Sequence, residues 1–156
     1  MDTATRAQLI DQYAAGPDEV RAALATAPND AALDARPAPA EWSARQVVHH
    51  LADSETMSTI RLRRLLAEDG PLLLAYDQDE FAARLHYERP VEQSLAVFTA
   101  VRAANVELLA CLADDEWARD GTHSDDGPYS VERWLAIYAA HGRDHADQIR
   151  EAIRSA

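Results

Sequence analysis

A single cysteine, Cys111, is all the thiol in this 156-residue chain. No disulfide can close within it, which excludes a disulfide-stapled scaffold. Basic residues are scarce: 15 Lys and Arg stand against 27 Asp and Glu, a formal net charge of −12. Such a surface repels phosphate backbones and anionic lipid, so neither nucleic acid nor a membrane surface is an expected partner. No apolar run approaches the ~20 residues that cross a bilayer. The opening MDTATRAQLIDQYAAG lacks the basic start and apolar stretch of a signal peptide, so the expected location is the cytoplasm. Glycine is sparse and strand signals are few.

What the chain does contain is Ala, Leu, Arg and Glu in long stretches, a composition of strong helix propensity. With 47% hydrophobic residues, 1–156 suffices for one domain with its own core. A first helix is expected from about Thr3, with Leu9, Ile10 and Tyr13 along one stripe and Val20 and Leu24 continuing it. Pro17 either kinks this helix or begins a second piece. PNDAALDARPAPAEW reads as an ordered connector with room for one helical turn. Ser43 then offers a capping box with Gln46 and a staple from Trp42 to Val47, predicting a helix to about Ala67. The segment EDGPLLLAYDQDEFAARLHYERP is too long and too apolar for a tether and is expected to lie over one end of the fold. A third long helix is predicted from near Pro90, with Leu95, Phe98, Val101, Leu108 and Leu112 on one face. After a second loop, Ser130 caps a last helix to about Arg154, with Tyr129 stapled to Trp134. The fold class implied is all-α, a four-helix bundle.

The last helix carries the chemistry. At about 100° per residue, Trp134, Tyr138, His141, His145, Gln148 and Ala152 share a narrow arc. His141 and His145 are one turn apart, the spacing that lets two imidazoles bind one ion. Gly142 follows the first of them, so the zinc-protease HExxH pattern is absent. In VVHHLADSE, His50 shares a face with Val47, Ser54 and Met57, whereas His49 is turned about 100° away. His50 is therefore the third candidate ligand. Three neutral imidazoles suit one divalent transition metal ion, zinc or nickel first, with iron, cobalt or manganese open, and leave coordination positions free. A histidine in an apolar stripe can equally be a core residue satisfied by a hydrogen bond. His86 and His123 fall in predicted loops and are expected at the surface. Asp53, Glu55 and Asp144 are expected to be solvated or to support the ligands from behind, and Trp134 and Tyr138 to pack the core.

EWSARQVVHHLADSE, IRLRRLLAEDGPLLLAYDQDEFA and the final HGRDH together resemble the DinB-like superfamily of metal-binding four-helix bundles. The resemblance is strongest to its YfiT-like branch of metal-dependent hydrolases and bacillithiol S-transferases, and it covers essentially the whole chain. By position it implies His50, His141 and His145 as metal ligands. Some relatives carry a further His where this chain has Glu55. The activity implied is conjugation of a low-molecular-weight thiol to an electrophile, the ion holding the thiol as thiolate. The alternatives are metal-assisted hydrolysis and a noncatalytic metal- or small-molecule-binding bundle. Arg61 is a candidate to hold a thiol's carboxylate, and Tyr76, Asp77 and Tyr138 are candidates to shape the pocket. A homodimer is the expected assembly, since apolar helix faces in such bundles often pair.

Overall fold

The computed structural model describes residues 1–156. Four long helices form the bundle: α1 (Thr3–Leu24), α2 (Ala44–Ala67), α4 (Glu92–Ala110) and α5 (Val131–Arg154), with a short α3 (Gln78–Arg84) between α2 and α4. α1 packs against α5 and α4, and α2 against those same two. Helices consecutive in sequence are therefore diagonal at the start and at the end of the chain. α2 and α5, which carry the candidate ligands His50, His141 and His145, are neighbours, as a shared ion requires.

Side-chain caps set most of the boundaries. Asp2 accepts from the Thr5 N–H at the start of α1, and Ser130 from the Arg133 N–H at the start of α5. Ser43 and Gln46 form the predicted reciprocal capping box. Trp42, half-buried, packs on the cluster that contains Val47. The connector holds one 3-10 turn, Asp30–Asp34, tied to α2 by Arg45 through Asp30 at 2.9 Å and Asp34 at 2.7 Å.

Pro17 sits inside a single continuous α1. Having no N–H, it leaves the Tyr13 carbonyl four residues earlier without its helical donor. The buried Arg102 supplies one: its Nη1 donates to Tyr13 O at 2.8 Å.

The long loops, where strand signals are few, hold a small sheet: β1 (Leu72–Leu73) pairs in parallel with β2 (Asp120–His123), which pairs antiparallel with β3 (Gly127–Ser130). The hairpin closes through Gly127 at φ 72°, a left-handed geometry that favours glycine. The inner face of α4 is rotated from the predicted one: Ser94, Phe98, Arg102, Asn105 and Leu109 are buried. Leu95, Val101, Leu108 and Leu112 are only partly covered. Apolar periodicity misplaced this face because three of its inward residues, Ser94, Arg102 and Asn105, are polar.

Arg102 and Asn105 mark the bundle's middle layer. One apolar cluster gathers Val20, Val47, Leu51, Phe98 and Ile149, and another gathers Tyr13, Leu62, Leu65, Trp134 and Leu135. Between them lies a buried ionic network. Arg102 Nε donates to Glu55 Oε2 at 2.9 Å and Arg102 Nη2 to the Tyr138 carbonyl at 3.0 Å. The other Glu55 oxygen accepts from the Tyr13 phenol, which accepts in turn from Asn105 Nδ2 at 2.9 Å. Glu55 is thus buried and ion-paired rather than solvated. A Cβ on Gly16 would stand 2.2 Å from Arg102 Nη1, and one on Gly142 would meet both that atom and Gly16 Cα at 2.9 Å. The glycine of HGRDH makes room for the guanidinium between α1 and α5.

Candidate metal centre

The two adjacent histidines of α2 show how helical phase separates structure from chemistry. His49 points toward α4, where Ser94 Oγ lies 2.7 Å from its Nδ1 and the Arg89 carbonyl accepts from its Nε2 at 2.9 Å. Both nitrogens are satisfied, which makes it a core histidine. His50 faces α5 instead, and its Nδ1 is buried with no partner.

Across from it, α5 presents His141 and His145 one turn apart. Their ring centroids are 4.4 Å from each other, and those of His50 lie 5.6 and 4.8 Å away. One nitrogen from each of the three falls within 4.8 Å of the others. The Nε2 atoms of His141 and His145 are 3.1 Å apart. Two nitrogens held at 2.0–2.1 Å by one tetrahedral ion would stand roughly 3.3 Å apart, so this pair is spaced for a shared ion. Gln148 Oε1 accepts from His145 Nδ1 at 2.7 Å, which places that ring's proton on Nδ1 and leaves Nε2 with its lone pair toward His141. His141 Nδ1, like that of His50, is buried without a partner. The donor set is neutral as well. Burial pushes His50 down to about 3, with His145 adding to the effect. Burial also holds His141 well below the ordinary imidazole value and lowers His145. At neutral pH all three carry free lone pairs, as metal ligation requires.

The three rings open onto a cleft of about 540 Å³, walled by Trp42, Ser54, Tyr76 and Tyr138, with Glu41 and Asp79 at its rim. Tyr76 and Tyr138, expected to shape a pocket, line this one. Arg61 does not. It lies behind the two phenols, its Nη2 donating to the Leu74 carbonyl at 2.8 Å and its Nη1 to the Tyr138 hydroxyl at 3.4 Å. Asp77 is a helix cap rather than a substrate contact, accepting from the Asp79 and Glu80 N–H groups at 3.0 Å. The notion of His123 as a surface residue also needs correction: it is 7% exposed, stacked on Tyr129 within the sheet. His86 is exposed as expected, beside Glu88. Asp53 accepts from the Tyr87 phenol at 2.7 Å, and Asp144 is exposed.

Sequence reasoning did not single out Gln148 or Ser54 as functional, although both lie in phase with the ligands, Gln148 three residues after His145 and Ser54 four after His50. Phase was a usable signal for both. Glu41 and Asp79 reach the rim through loop geometry, which no local pattern shows.

A four-helix bundle with three convergent imidazoles at the floor of a cleft has the architecture of a helical metal-site protein. The model of the DinB superfamily matches residues 12–149, and the chain belongs to that family. A protein of Oceanobacillus iheyensis named "Putative metal-dependent hydrolase" is 35% identical over 121 residues, covering 78% of this chain and 70% of that one. One of Halalkalibacterium halodurans with the same designation is 30% identical over 112 residues, covering 72% and 66%. Among solved structures, YfiT from Bacillus subtilis, "a probable metal-dependent hydrolase with an unusual four-helix bundle topology", superposes with a TM-score of 0.91 at 28% identity. The superposition covers 99% of this chain and 89% of YfiT. The four-helix bundle protein TT2238 shares the fold, with a TM-score of 0.66 at 23% identity.

Proposed function

We propose that the protein is a metal-dependent hydrolase acting on a small uncharged or cationic substrate. The observation that carries this reading is the convergence of three neutral imidazole nitrogens within 4.8 Å on a solvent-reached cleft. A divalent ion held by His50, His141 and His145 would supply Lewis acidity for activating water and polarising the scissile group. Zinc and nickel fit an all-nitrogen donor set of this size best, and iron, cobalt and manganese are the remaining choices.

The chain's own residues do the rest. His145 is held in one tautomer by Gln148. Trp42 lies against the His50 ring at 4.8 Å, where it limits both ring rotation and water. Tyr76 and Tyr138 offer the cleft hydroxyl donors. Glu41 and Asp79 at the rim disfavour anions and favour neutral or cationic substrates.

Thiol S-transfer is the second reading, because the same ligand set could hold a thiolate. It has less support, since no cation lines the cleft to grip a thiol's carboxylate and Arg61 is engaged behind the wall. The test uses untagged protein, assayed for metal content and then for turnover of a panel of uncharged esters and amides. A parallel assay follows loss of a low-molecular-weight thiol against a model electrophile. Ester or amide turnover that disappears in His141→Ala together with the metal is the expected result. Thiol consumption without hydrolysis would establish the transferase instead, and bound metal with neither activity a binding protein.

A further inference from the structure

Arg61 is an anomaly among the buried arginines. Arg45 pairs with Asp30 and Asp34, and Arg102 with Glu55. Arg61 is 7% exposed, yet no carboxylate stands within 4 Å of it. Its partners are all neutral: the Leu74 carbonyl, the Tyr138 hydroxyl and the face of Tyr76 at 5.8 Å. A buried cation without a counter-ion is costly, so the place to look for its negative partner is a charge that arises during the protein's work.

The direction in which that charge is relayed is defined. Tyr138 and Tyr76 stand between Arg61 and the cleft, and the Ser54 hydroxyl lies beside both phenols. The Tyr138 ring is edge-on to His141 at 5.5 Å between centroids. Three hydroxyls backed by one guanidinium therefore border the same cleft as the three imidazoles. A phenol is protonated at neutral pH and is shortened and strengthened as a donor when its acceptor is charged. The rim residues Glu41 and Asp79 decide what kind of anion this wall serves. They oppose entry of a substrate already negative, so the charge is one that develops after binding.

We propose that Tyr138 is a catalytic residue that donates a hydrogen bond to the oxyanion formed as the substrate's carbonyl carbon becomes tetrahedral. Arg61 is its positioning residue, polarising and orienting the phenol without touching substrate. No proton is transferred: the phenol keeps its O–H throughout, and the oxygen's charge is neutralised only when the carbonyl reforms. The inference rests on the hydrolytic reading, and it extends that reading by naming the wall that receives the charge. Preorganised donors of this kind are worth about 100- to 1,000-fold in kcat in acyl-transfer enzymes.

Phenylboronic acid provides the test, because it enters neutral and becomes a tetrahedral anion by adding water oxygen to boron with release of a proton. Its dissociation constant would be measured by calorimetry on zinc-loaded wild type, Tyr138→Phe and Arg61→Lys, with bound zinc determined in each and benzoate as a planar, already charged control. The expected result is binding to wild type that weakens at least about tenfold in Tyr138→Phe with zinc content unchanged. Arg61→Lys should retain an intermediate affinity, and benzoate should bind poorly to all three. Equal boronic acid affinity in wild type and Tyr138→Phe would overturn the proposal. So would benzoate binding as tightly as the boronic acid, or no boronic acid binding to zinc-loaded wild type. A Tyr138-dependent boronate complex in a protein that hydrolyses no ester would sink the hydrolytic reading while leaving the anion-binding wall in place.

Discussion

Two polar clusters lie within the interior of this bundle and share α2 and α5, yet they are built to opposite ends. In the middle layer, Glu55, Arg102, Tyr13 and Asn105 satisfy one another, and Arg102 directs all three nitrogens at acceptors. Nothing there is available to a ligand. One turn away, His50, His141 and His145 are gathered as closely, but two of their buried nitrogens have no partner and the rings face a cleft. The first cluster is a structural joint and the second a set of donor atoms with chemical use. Density of polar groups does not tell them apart. Completeness of their hydrogen bonding does.

Substitutions should therefore separate the two. The largest effect is expected from Arg102→Leu, which strands the Glu55 carboxylate in the core. Loss of about 3–5 kcal/mol in denaturant unfolding is the expected cost, and a variant as stable as wild type would show that the network does not hold the helices together. Gly142→Ala should follow at about 1–3 kcal/mol, since its methyl would collide with Arg102 and with Gly16 on the facing helix. A neutral result in thermal melts would mean that the helices can separate there without penalty.

In the open cluster, changes should reach the metal and spare the fold. Gln148→Ala frees the His145 ring and should weaken zinc affinity by about 10- to 100-fold in competition with a chromophoric chelator, with an unfolding midpoint close to wild type. His86→Ala, by contrast, should change neither metal content nor stability, because that ring is exposed and remote from the three.

Acid sharpens the contrast further. In metal-free protein the folded state holds His50 near 3, against an ordinary value of 6.5, so the unfolded chain binds the extra proton first. Stability from this site is fully present above about pH 6.5 and is lost as pH falls from there toward 3. Denaturant midpoints measured across that window should decline less steeply in His50→Gln, and parallel slopes for the two proteins would contradict a buried neutral His50.

Much of this is legible in the sequence. Caps at Ser43 and Ser130 located two helix starts, because a side-chain oxygen three residues before a free N–H is a local event. Helical phase chose His50 over His49 and aligned it with His141 and His145, since 100° per residue is enough to sort a face. The same reasoning failed for α4, where apolar periodicity pointed to Leu95 and Val101 while the interior took Arg102 and Asn105. It failed again for Glu55, read as solvated or as supporting the ligands from behind but bonded to Tyr13, Ser58 and Arg102, and for His123, read as exposed. Distant parts of the chain decide both: Arg102 covers Glu55, and β1, whose Leu73 is in register with His123, completes the sheet in which Tyr129 stacks on that ring.

The amino-acid order alone determined the helices, their caps and the histidine spacing, because each depends on residues within one or two turns. Only the tertiary structure decided which helices are neighbours, which polar groups neutralise one another and which are left facing the cleft. Those outcomes depend on contacts such as Arg102 with Glu55, 47 residues apart, and Arg61 with Tyr138, 77 apart. Satisfaction of a buried charge is a property of the folded surroundings, not of the residue that carries it.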